Sequence, residues 1–244
     1  MRLKRAAKWG ISIIGILTLP IFFAIGFWFY VASTLPALET IAVTNAPSCS
    51  ENSQISRVSI HDLPDYVTTV FIAAEAPGFF RNSGIPSIRL AKDLVRGLFD
   101  SSQLSPNTPS FSYWISSVNL RNSDGGSRTL YSQFQRLVQS DRIEMNLGEF
   151  DILGIYLNQI YFAKGTIGIA CAAQHFFRKK PEALSLAETA LLSALTISPT
   201  NFDPYKHPAE AETRRNKIID QTKAAGFISD LEASSAKAAP LLPQ

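Results

Sequence analysis

Glu75 is the acidic residue whose place in the sequence most suggests chemistry. Asp62 is suited to cap a helix with Pro64 in its first turn, and one apolar face follows, formed by Val67, Val70, Phe71 and Ala74. Pro77-Gly78 then ends this helix, which leaves Glu75 at its C-terminal end. The helix dipole disfavours a carboxylate there, so the position indicates a functional acid. An ordinary surface glutamate is the alternative.

The cysteines and histidines match no metal-binding pattern. Cys49 and Cys171 are far apart in the sequence and have no metal-ligand spacing. Two interpretations of this pair stay open: one core thiol and one linker thiol, or a disulfide in an oxidising compartment. The three histidines, His61, His175 and His207, form no zinc motif. The sequence therefore predicts no metal ligands.

Composition and charge exclude two classes of protein. Hydrophobic residues make up 46% of the chain and charged residues 18%, which excludes a disordered protein. The net charge is +3, and four basic residues precede the first apolar run: Arg2, Lys4, Arg5 and Lys8. The rest of the chain is therefore close to neutral, which argues against a nucleic-acid-binding face.

Residues 9–32 form an apolar run that predicts a transmembrane helix. The run lies between Lys8 and Glu39 without a charged residue, and about 20 residues suffice to span a bilayer. A cleaved signal peptide is the alternative, although its apolar region is usually only about 7–15 residues long. The basic residues at 1–8 predict a cytoplasmic N-terminus, so the remainder is translocated.

The rest of the chain predicts a linker and a helical domain. We place the linker at 33–56, the domain at 57–230 and a tail at 231–244. Asp100 to Ser123 is interpreted as a loop whose aromatic residues either enter the core or touch a membrane. Helices are predicted from Ser87 to Phe99, after 125–127 through Leu137, across 147–160 and 166–177, after a capping box at Ser185, and from Pro208 to Gly226. No β alternation of any length is visible.

Several short runs resemble the motifs of one known family and occur in the same order along the chain. They are E-A-P-G-F-F-R-N-S-G at 75–84, G-G-S-R-T at 125–129 with Gln133, D-I-L-G-I-Y-L-N at 151–158, L-S-L-A-E at 184–188, and Arg214-Arg215-Asn216. Over roughly 62–228 the chain resembles glycosyltransferase family 51. That family is the peptidoglycan transglycosylase domain of class A penicillin-binding proteins and monofunctional transglycosylases.

The resemblance implies a fold, an activity and a location. The fold is mainly α, a lysozyme-like transglycosylase domain behind one N-terminal transmembrane helix. The activity polymerises lipid II into glycan chains with inversion, through a glutamate base and a lipid pyrophosphate leaving group. The location is the bacterial cytoplasmic membrane, with the domain in the periplasm. The implied partners are lipid II, the growing glycan strand, the membrane and other cell-wall synthesis proteins.

The resemblance also assigns site residues by position. Glu75 matches the catalytic base of the family. Substrate binding is assigned to five further residues: Phe79, Ser127, Gln133, Asn158 and Arg214. No cofactor is implied with certainty, although a divalent metal ion can accompany the pyrophosphate of the substrate.

Some positions depart from the family pattern. Ala76 stands where the family has an aspartate, Asn82 where it has a histidine, and Arg128 displaces a threonine. The stretch from Gln133 to Tyr156 is several helical turns shorter than in the family, and its R-K-x-x-E motif is not found.

The missing motif normally supplies positive charge and a second glutamate. Glu144 is the nearest acid in this stretch. Three residues are candidates to replace the lost positive charge at the pyrophosphate: Arg136, Arg142 and Lys164.

Two functions from different classes therefore remain. The first is an active, divergent peptidoglycan glycosyltransferase, which the retained Glu75 favours. The second is a catalytically impaired, membrane-anchored protein that binds lipid II or glycan, or scaffolds cell-wall machinery, which the missing motif favours. A lytic enzyme that cleaves glycan with one glutamate is a third, weaker hypothesis.

Overall fold

The structure is a computed structural model. It describes residues 19, 22–38, 41, 49, 57–76, 111–124 and 129–242, and the side chains of 122–124 are not described. The predicted helix from Ser87 to Phe99 and the run at 125–127 lie outside these residues. Where the chain is described it is mainly helical, which confirms the predicted fold class at that level.

Residues 22–34 form the N-terminal helix. Eight further helices and one hairpin follow in the described chain: α1 (Asp65–Glu75), α2 (Phe111–Asp124), α3 (Leu130–Asn146), α4 (Glu149–Gln159), β1 (Tyr161–Ala163), β2 (Thr166–Ile167), α5 (Ile169–Phe177), α6 (Leu186–Ile197), α7 (Pro208–Ala224) and α8 (Asp230–Ala238). Short 3₁₀ turns at Ile60–Asp62 and Pro181–Ala183 precede α1 and α6.

Several helix ends follow the predicted signals, but the predicted cap at Asp62 was wrong: α1 begins at Asp65 directly after Pro64, and Asp62 lies in the preceding 3₁₀ turn. Ser185 and Glu188 form the capping box at the start of α6, with both reciprocal hydrogen bonds present. Pro208 is the first residue of α7, where a missing N–H costs nothing. Gly226 follows the end of α7 with φ +81°, a conformation that favours glycine. Local sequence therefore determines where these helices begin and end.

The core is built around α1. Val67, Val70 and Phe71 are fully buried, and the helix packs against both α6 and α7. A fully buried side chain of this size contributes about 1.5–3 kcal/mol to stability. This packing fixes the C-terminal end of α1, and with it the position of Glu75.

The aromatic segment that we interpreted as a loop is helix α2, so this prediction was wrong. Phe111 and Ile115 are buried in the main core cluster, and Trp114 packs against it. The segment is rich in serine and asparagine, which lowers its hydrophobicity and hides its helical pattern. Of the two predicted destinations for its aromatic residues, the core is confirmed for Phe111.

A short β-hairpin also escaped prediction. β1 and β2 pair in antiparallel fashion, and Lys164 and Gly165 join them with φ angles of 50° and 77°. Two consecutive positive φ angles are typical of tight hairpin turns. Strands of three and two residues are too short to show an alternating pattern. The helix predicted across 166–177 therefore begins only at Ile169.

Cys49 and Cys171 form a disulfide, which decides between the two interpretations left open. Their Cα atoms are 5.3 Å apart, and 122 positions separate them in the sequence. Cys171 is buried in α5. The bond therefore ties the chain before α1 to the core of the domain.

The N-terminal helix lies against α3. Trp28 Nε1 donates to Oδ2 of the buried Asp141 at 2.9 Å, and Val31 is fully buried against Val138 and its neighbours. Within the described ranges, no helix combines the length and apolar character that a membrane crossing requires. Half of the predicted span at 9–32 lies outside those ranges, so the span stays a prediction.

Helix α8 occupies the segment that we interpreted as a tail. Ser229 and Glu232 form a second capping box, and Ala233 and Ala236 are buried beside α7. Arg215 of α7 is 1% exposed and donates to the carbonyl oxygens of Lys237 at 3.0 Å and Ala239 at 2.9 Å. These bonds satisfy carbonyls at the C-terminal end of α8 that have no partner within the helix.

We expect Arg215→Ala to lower the free energy of unfolding by about 3 kcal/mol, because it removes a fully buried side chain and leaves two partly buried carbonyls without their donor. Chemical denaturation measures this loss. The matched control is Glu212→Gln, which removes only a 3.4 Å ion pair from the exposed Glu212 to the same side chain and should cost less than about 1 kcal/mol. Equal losses in the two variants would contradict the capping role of Arg215.

Candidate active site

Three helices bring polar side chains to the end of α1. Glu75 is the last residue of α1 and is partly buried. Tyr156 reaches it from α4 and Thr196 from α6. Tyr156 is 81 positions from Glu75 in the sequence and Thr196 is 121 positions from it. The cluster is therefore a product of the tertiary fold and leaves no local sequence signal.

Each carboxylate oxygen of Glu75 has its own hydroxyl donor. The Tyr156 hydroxyl donates to Oε2 through a short hydrogen bond. The Thr196 hydroxyl donates to Oε1 at 2.7 Å. A carboxylate oxygen has two lone pairs, so each oxygen keeps one that can accept another proton. The carboxyl group is thus held in one orientation while it remains able to act as a base.

Aromatic rings of α2 fix the position of Tyr156. The Phe111 ring lies 4.6 Å from the Tyr156 ring, and the Trp114 ring meets it edge-on at 4.9 Å. Tyr156 is only 2% exposed. Burial and the nearby Glu75 carboxylate raise the pKa of the Tyr156 phenol well above its usual value, so the phenol remains a proton donor at neutral pH.

Burial raises the pKa of Glu75 to about 7. Removal of water disfavours the charged carboxylate, and this outweighs the hydrogen bonds from Tyr156 and Thr196 and the positive charge of Arg214, which lower the pKa. At neutral pH the carboxyl group is therefore about half ionised. General bases work best when their pKa lies near the working pH.

The two neighbouring arginines of α7 have different roles. Arg215 is bonded within the fold, as described above. Arg214 acts electrostatically on Glu75, and its buried Nε has no hydrogen-bond acceptor among the described residues. The structure therefore brings Arg214, and not Arg215, to the candidate site.

The remaining predicted site residues are placed as follows. Phe79 and Ser127 lie outside the described residues. Gln133 is exposed near the start of α3. Asn158 is buried, and its amide nitrogen donates to the carbonyls of Val58 at 2.9 Å and Gly154 at 2.8 Å.

The side-chain oxygen of Asn158 also accepts from the backbone nitrogen of Val58 at 2.9 Å. These bonds use both amide hydrogens and tie the chain before α1 to α4. They favour a structural role for Asn158, in place of the predicted contact with substrate.

Two of the three proposed replacement cations are engaged within the fold. Arg142 donates to the Pro36 carbonyl at 3.2 Å and to Gln139 Oε1 at 2.9 Å. The Lys164 ammonium lies 4.0 Å from the centre of the Tyr205 ring. The nearest acid in that stretch, Glu144, accepts a short hydrogen bond from Ser112. Among the described residues, no group of three or more His, Cys, Asp or Glu side chains is arranged to hold a metal ion.

Sequence reasoning missed the two residues that touch Glu75. Tyr156 falls within the run D-I-L-G-I-Y-L-N, but the resemblance to the family assigned no function to this tyrosine. Thr196 lies in the last turn of α6 after an apolar run, and a threonine there looks like any helix-end residue. Only the approach of α4 and α6 to α1 identifies them.

Comparisons with known proteins agree with the resemblance. The profile of the transglycosylase family matches residues 42–223. Penicillin-binding protein 1A/1B of Bacillus subtilis is 32% identical over 205 residues, which are 83% of this chain and 22% of that protein. Penicillin-binding protein 1A of Streptococcus oralis is 27% identical over 222 residues, 84% of this chain and 34% of that protein.

The chain thus spans between a fifth and about a third of the length of these relatives. A crystal structure of penicillin-binding protein 1A from Haemophilus influenzae aligns with a TM-score of 0.43 at 19% identity, over 76% of this chain and 18% of that one. That likeness is too weak to support an argument. The profile match over most of the chain is decisive: the chain belongs to the transglycosylase family.

Proposed function

We propose that this protein is a peptidoglycan glycosyltransferase that polymerises lipid II into glycan chains. The observation that carries the proposal is the Glu75 carboxyl group. Glu75 occupies the position that matches the catalytic base of the family. Its carboxyl group is oriented by two hydroxyl donors and has a pKa of about 7. A surface glutamate without a function has no need of such surroundings.

In the proposed reaction Glu75 removes the proton from a sugar hydroxyl of the acceptor. That oxygen forms a bond to the anomeric carbon of the donor, and the bond from this carbon to the lipid pyrophosphate breaks with inversion. The leaving group takes the electron pair of the broken bond. Proton transfer by a positioned side chain contributes about 10²–10⁴-fold to a rate of this kind.

The leaving pyrophosphate needs positive charge where its own charge develops. We assign Arg214 to this role, because it lies close enough to act on Glu75 and its Nε has no described acceptor. We assign no metal site to the chain, and any divalent ion would be bound by the substrate pyrophosphate.

We also propose that the protein is held in the bacterial cytoplasmic membrane by residues 9–32, with the domain in the periplasm. The basic residues before this run support the orientation. The Cys49–Cys171 disulfide supports it independently, because disulfides persist mainly in oxidising compartments.

A second candidate function is a membrane-anchored protein that binds lipid II or glycan without catalysis. The bonding of Arg142 and Lys164 within the fold favours it, because these side chains then do not supply the positive charge of the missing motif. The same Glu75 cluster would then serve only as a polar contact for a sugar.

Polymerisation of labelled lipid II by the purified full-length chain distinguishes the two functions. We expect the wild-type protein to produce glycan chains, whereas Glu75→Gln does not. If the wild type makes no product and yet binds lipid II, then the second function replaces the first.

A further inference from the structure

The Thr196 hydroxyl has only one proton to donate, and besides the Tyr156 phenol two oxygen acceptors lie close to it. Its oxygen lies 2.7 Å from Oε1 of Glu75 and 2.8 Å from the carbonyl oxygen of Ser193. A hydroxyl group carries one proton and two lone pairs. It can therefore donate to only one of these acceptors at a time.

We propose that Thr196 is a positioning residue that holds the Glu75 carboxyl group in the same place before and after it takes a proton. This inference rests on the proposed glycosyl transfer, in which Glu75 alternates between an ionised and a protonated form. It adds a residue to that reaction that the sequence comparison did not assign.

The geometry supplies a hydrogen bond for each form of the carboxyl group. When Glu75 is ionised, the Thr196 hydroxyl donates to Oε1. When Glu75 has taken a proton, its new O–H group donates to the Thr196 oxygen, and the Thr196 proton turns to the Ser193 carbonyl. The Thr196 hydrogen and the new carboxyl hydrogen both rotate in this exchange, and no heavy atom has to move.

Tyr156 differs from Thr196 in this respect. Its hydroxyl donates to Oε2, and its ring is held by Phe111 and Trp114. Since its phenol keeps its proton at neutral pH, Tyr156 remains a hydrogen-bond donor to Oε2 of Glu75. The proton that Glu75 collects is therefore best placed on Oε1, beside Thr196.

The described groups that act on the Glu75 carboxyl come from three helices. They are Tyr156 from α4, Thr196 from α6 and Arg214 from α7. Tyr156 stays neutral near pH 7, a guanidinium stays charged, and a threonine does not titrate. A titration of this cluster near neutral pH therefore belongs to Glu75.

The test compares Thr196→Val, which replaces the hydroxyl with a methyl group of similar size, with Thr196→Ser, which keeps the hydroxyl. Thr196→Ala is the second hydroxyl-free variant and adds no methyl group that could disturb packing. The full-length chain, labelled with ¹³C-glutamate and held in detergent, reports the carboxyl titration by NMR, and the signal that Glu75→Gln removes identifies Glu75.

We expect Thr196→Val and Thr196→Ala to raise the pKa of Glu75 by about one unit, because the charged form loses a stronger hydrogen bond than the neutral form does. Thr196→Ser should titrate like the wild type. In the polymerisation assay at pH 7, the two hydroxyl-free variants should lose about fivefold in kcat with KM unchanged, because the ionised fraction of Glu75 falls by that factor. Thr196→Ser should restore kcat.

Unchanged titration in both hydroxyl-free variants would overturn the inference and leave Thr196 as a packing residue. If the pKa rises in these variants but no protein polymerises lipid II, the wild type included, the hydrogen bond between Thr196 and Glu75 is still supported. That result would refute the proposed transferase function and, with it, a catalytic purpose for the residue. The NMR readout therefore separates failure of this inference from failure of the function.

Discussion

Glu75→Gln is expected to lower the rate of glycan polymerisation by about 10²–10⁴-fold, because an amide cannot take the proton of the acceptor hydroxyl. Lipid II binding should be retained, since the amide keeps the size and polarity of the carboxyl group. Steady-state rates at saturating lipid II measure the effect. Conservation of the fold is checked by circular dichroism and thermal unfolding.

The stability of this variant should depend on pH in a defined direction. The pKa of Glu75 is about 7 in the folded protein, whereas the ordinary value of a glutamate, which applies to the unfolded chain, is 4.5. Because the folded state binds the proton more tightly, Glu75 contributes stability below pH 4.5 that is lost as the pH rises through 7. Glu75→Gln has no such loss, so it should become more stable relative to the wild type as the pH rises from 5 to 8. A variant that unfolds at every pH would mark Glu75 as structural.

Loss of the Cys49–Cys171 disulfide is expected to cause the largest change in stability. The bond closes a long loop, with 122 positions between its cysteines, and in the chain-entropy treatment such a loop contributes about 5 kcal/mol. Cys49→Ser should therefore lower the thermal midpoint by roughly 5–20 °C, which differential scanning calorimetry measures. Cys49 is the better position to change, because Cys171 is buried in the core.

The control for this variant is the wild type with its disulfide reduced. Both proteins lack the same cross-link, so they should unfold at similar temperatures. Thermal midpoints equal to that of the oxidised wild type in both cases would show that the bond contributes little, and would remove the support it gives to an oxidising compartment.

Helices with clear signals could be predicted from sequence, and those with weak signals could not. The capping box at Ser185 and the Pro208 start were correct because both depend on neighbouring residues. Helix α2 was missed because its serines and asparagines obscure the apolar face. The second capping box at Ser229 was visible in the sequence, and it went unrecognised because the residues that follow it, 231–244, were interpreted as a tail.

The candidate site was only partly predictable for a different reason. Glu75 could be found because the end of a helix is a local feature. Thr196 could not, because its role depends on α6 meeting α1. Asn158 shows the limit of a motif match, since the match predicted substrate binding, whereas the bonds of its amide group to Val58 and Gly154 favour a structural role.

The pH dependence of lipid II consumption by the wild-type protein tests the central claim most directly. If Glu75 is the base, the rate should fall as the pH drops through about 7, because only the ionised carboxylate accepts a proton. The midpoint should match the Glu75 titration measured by NMR. A rate that is independent of pH between 5 and 9, or no turnover at any pH, would contradict the assignment of Glu75 as the catalytic base.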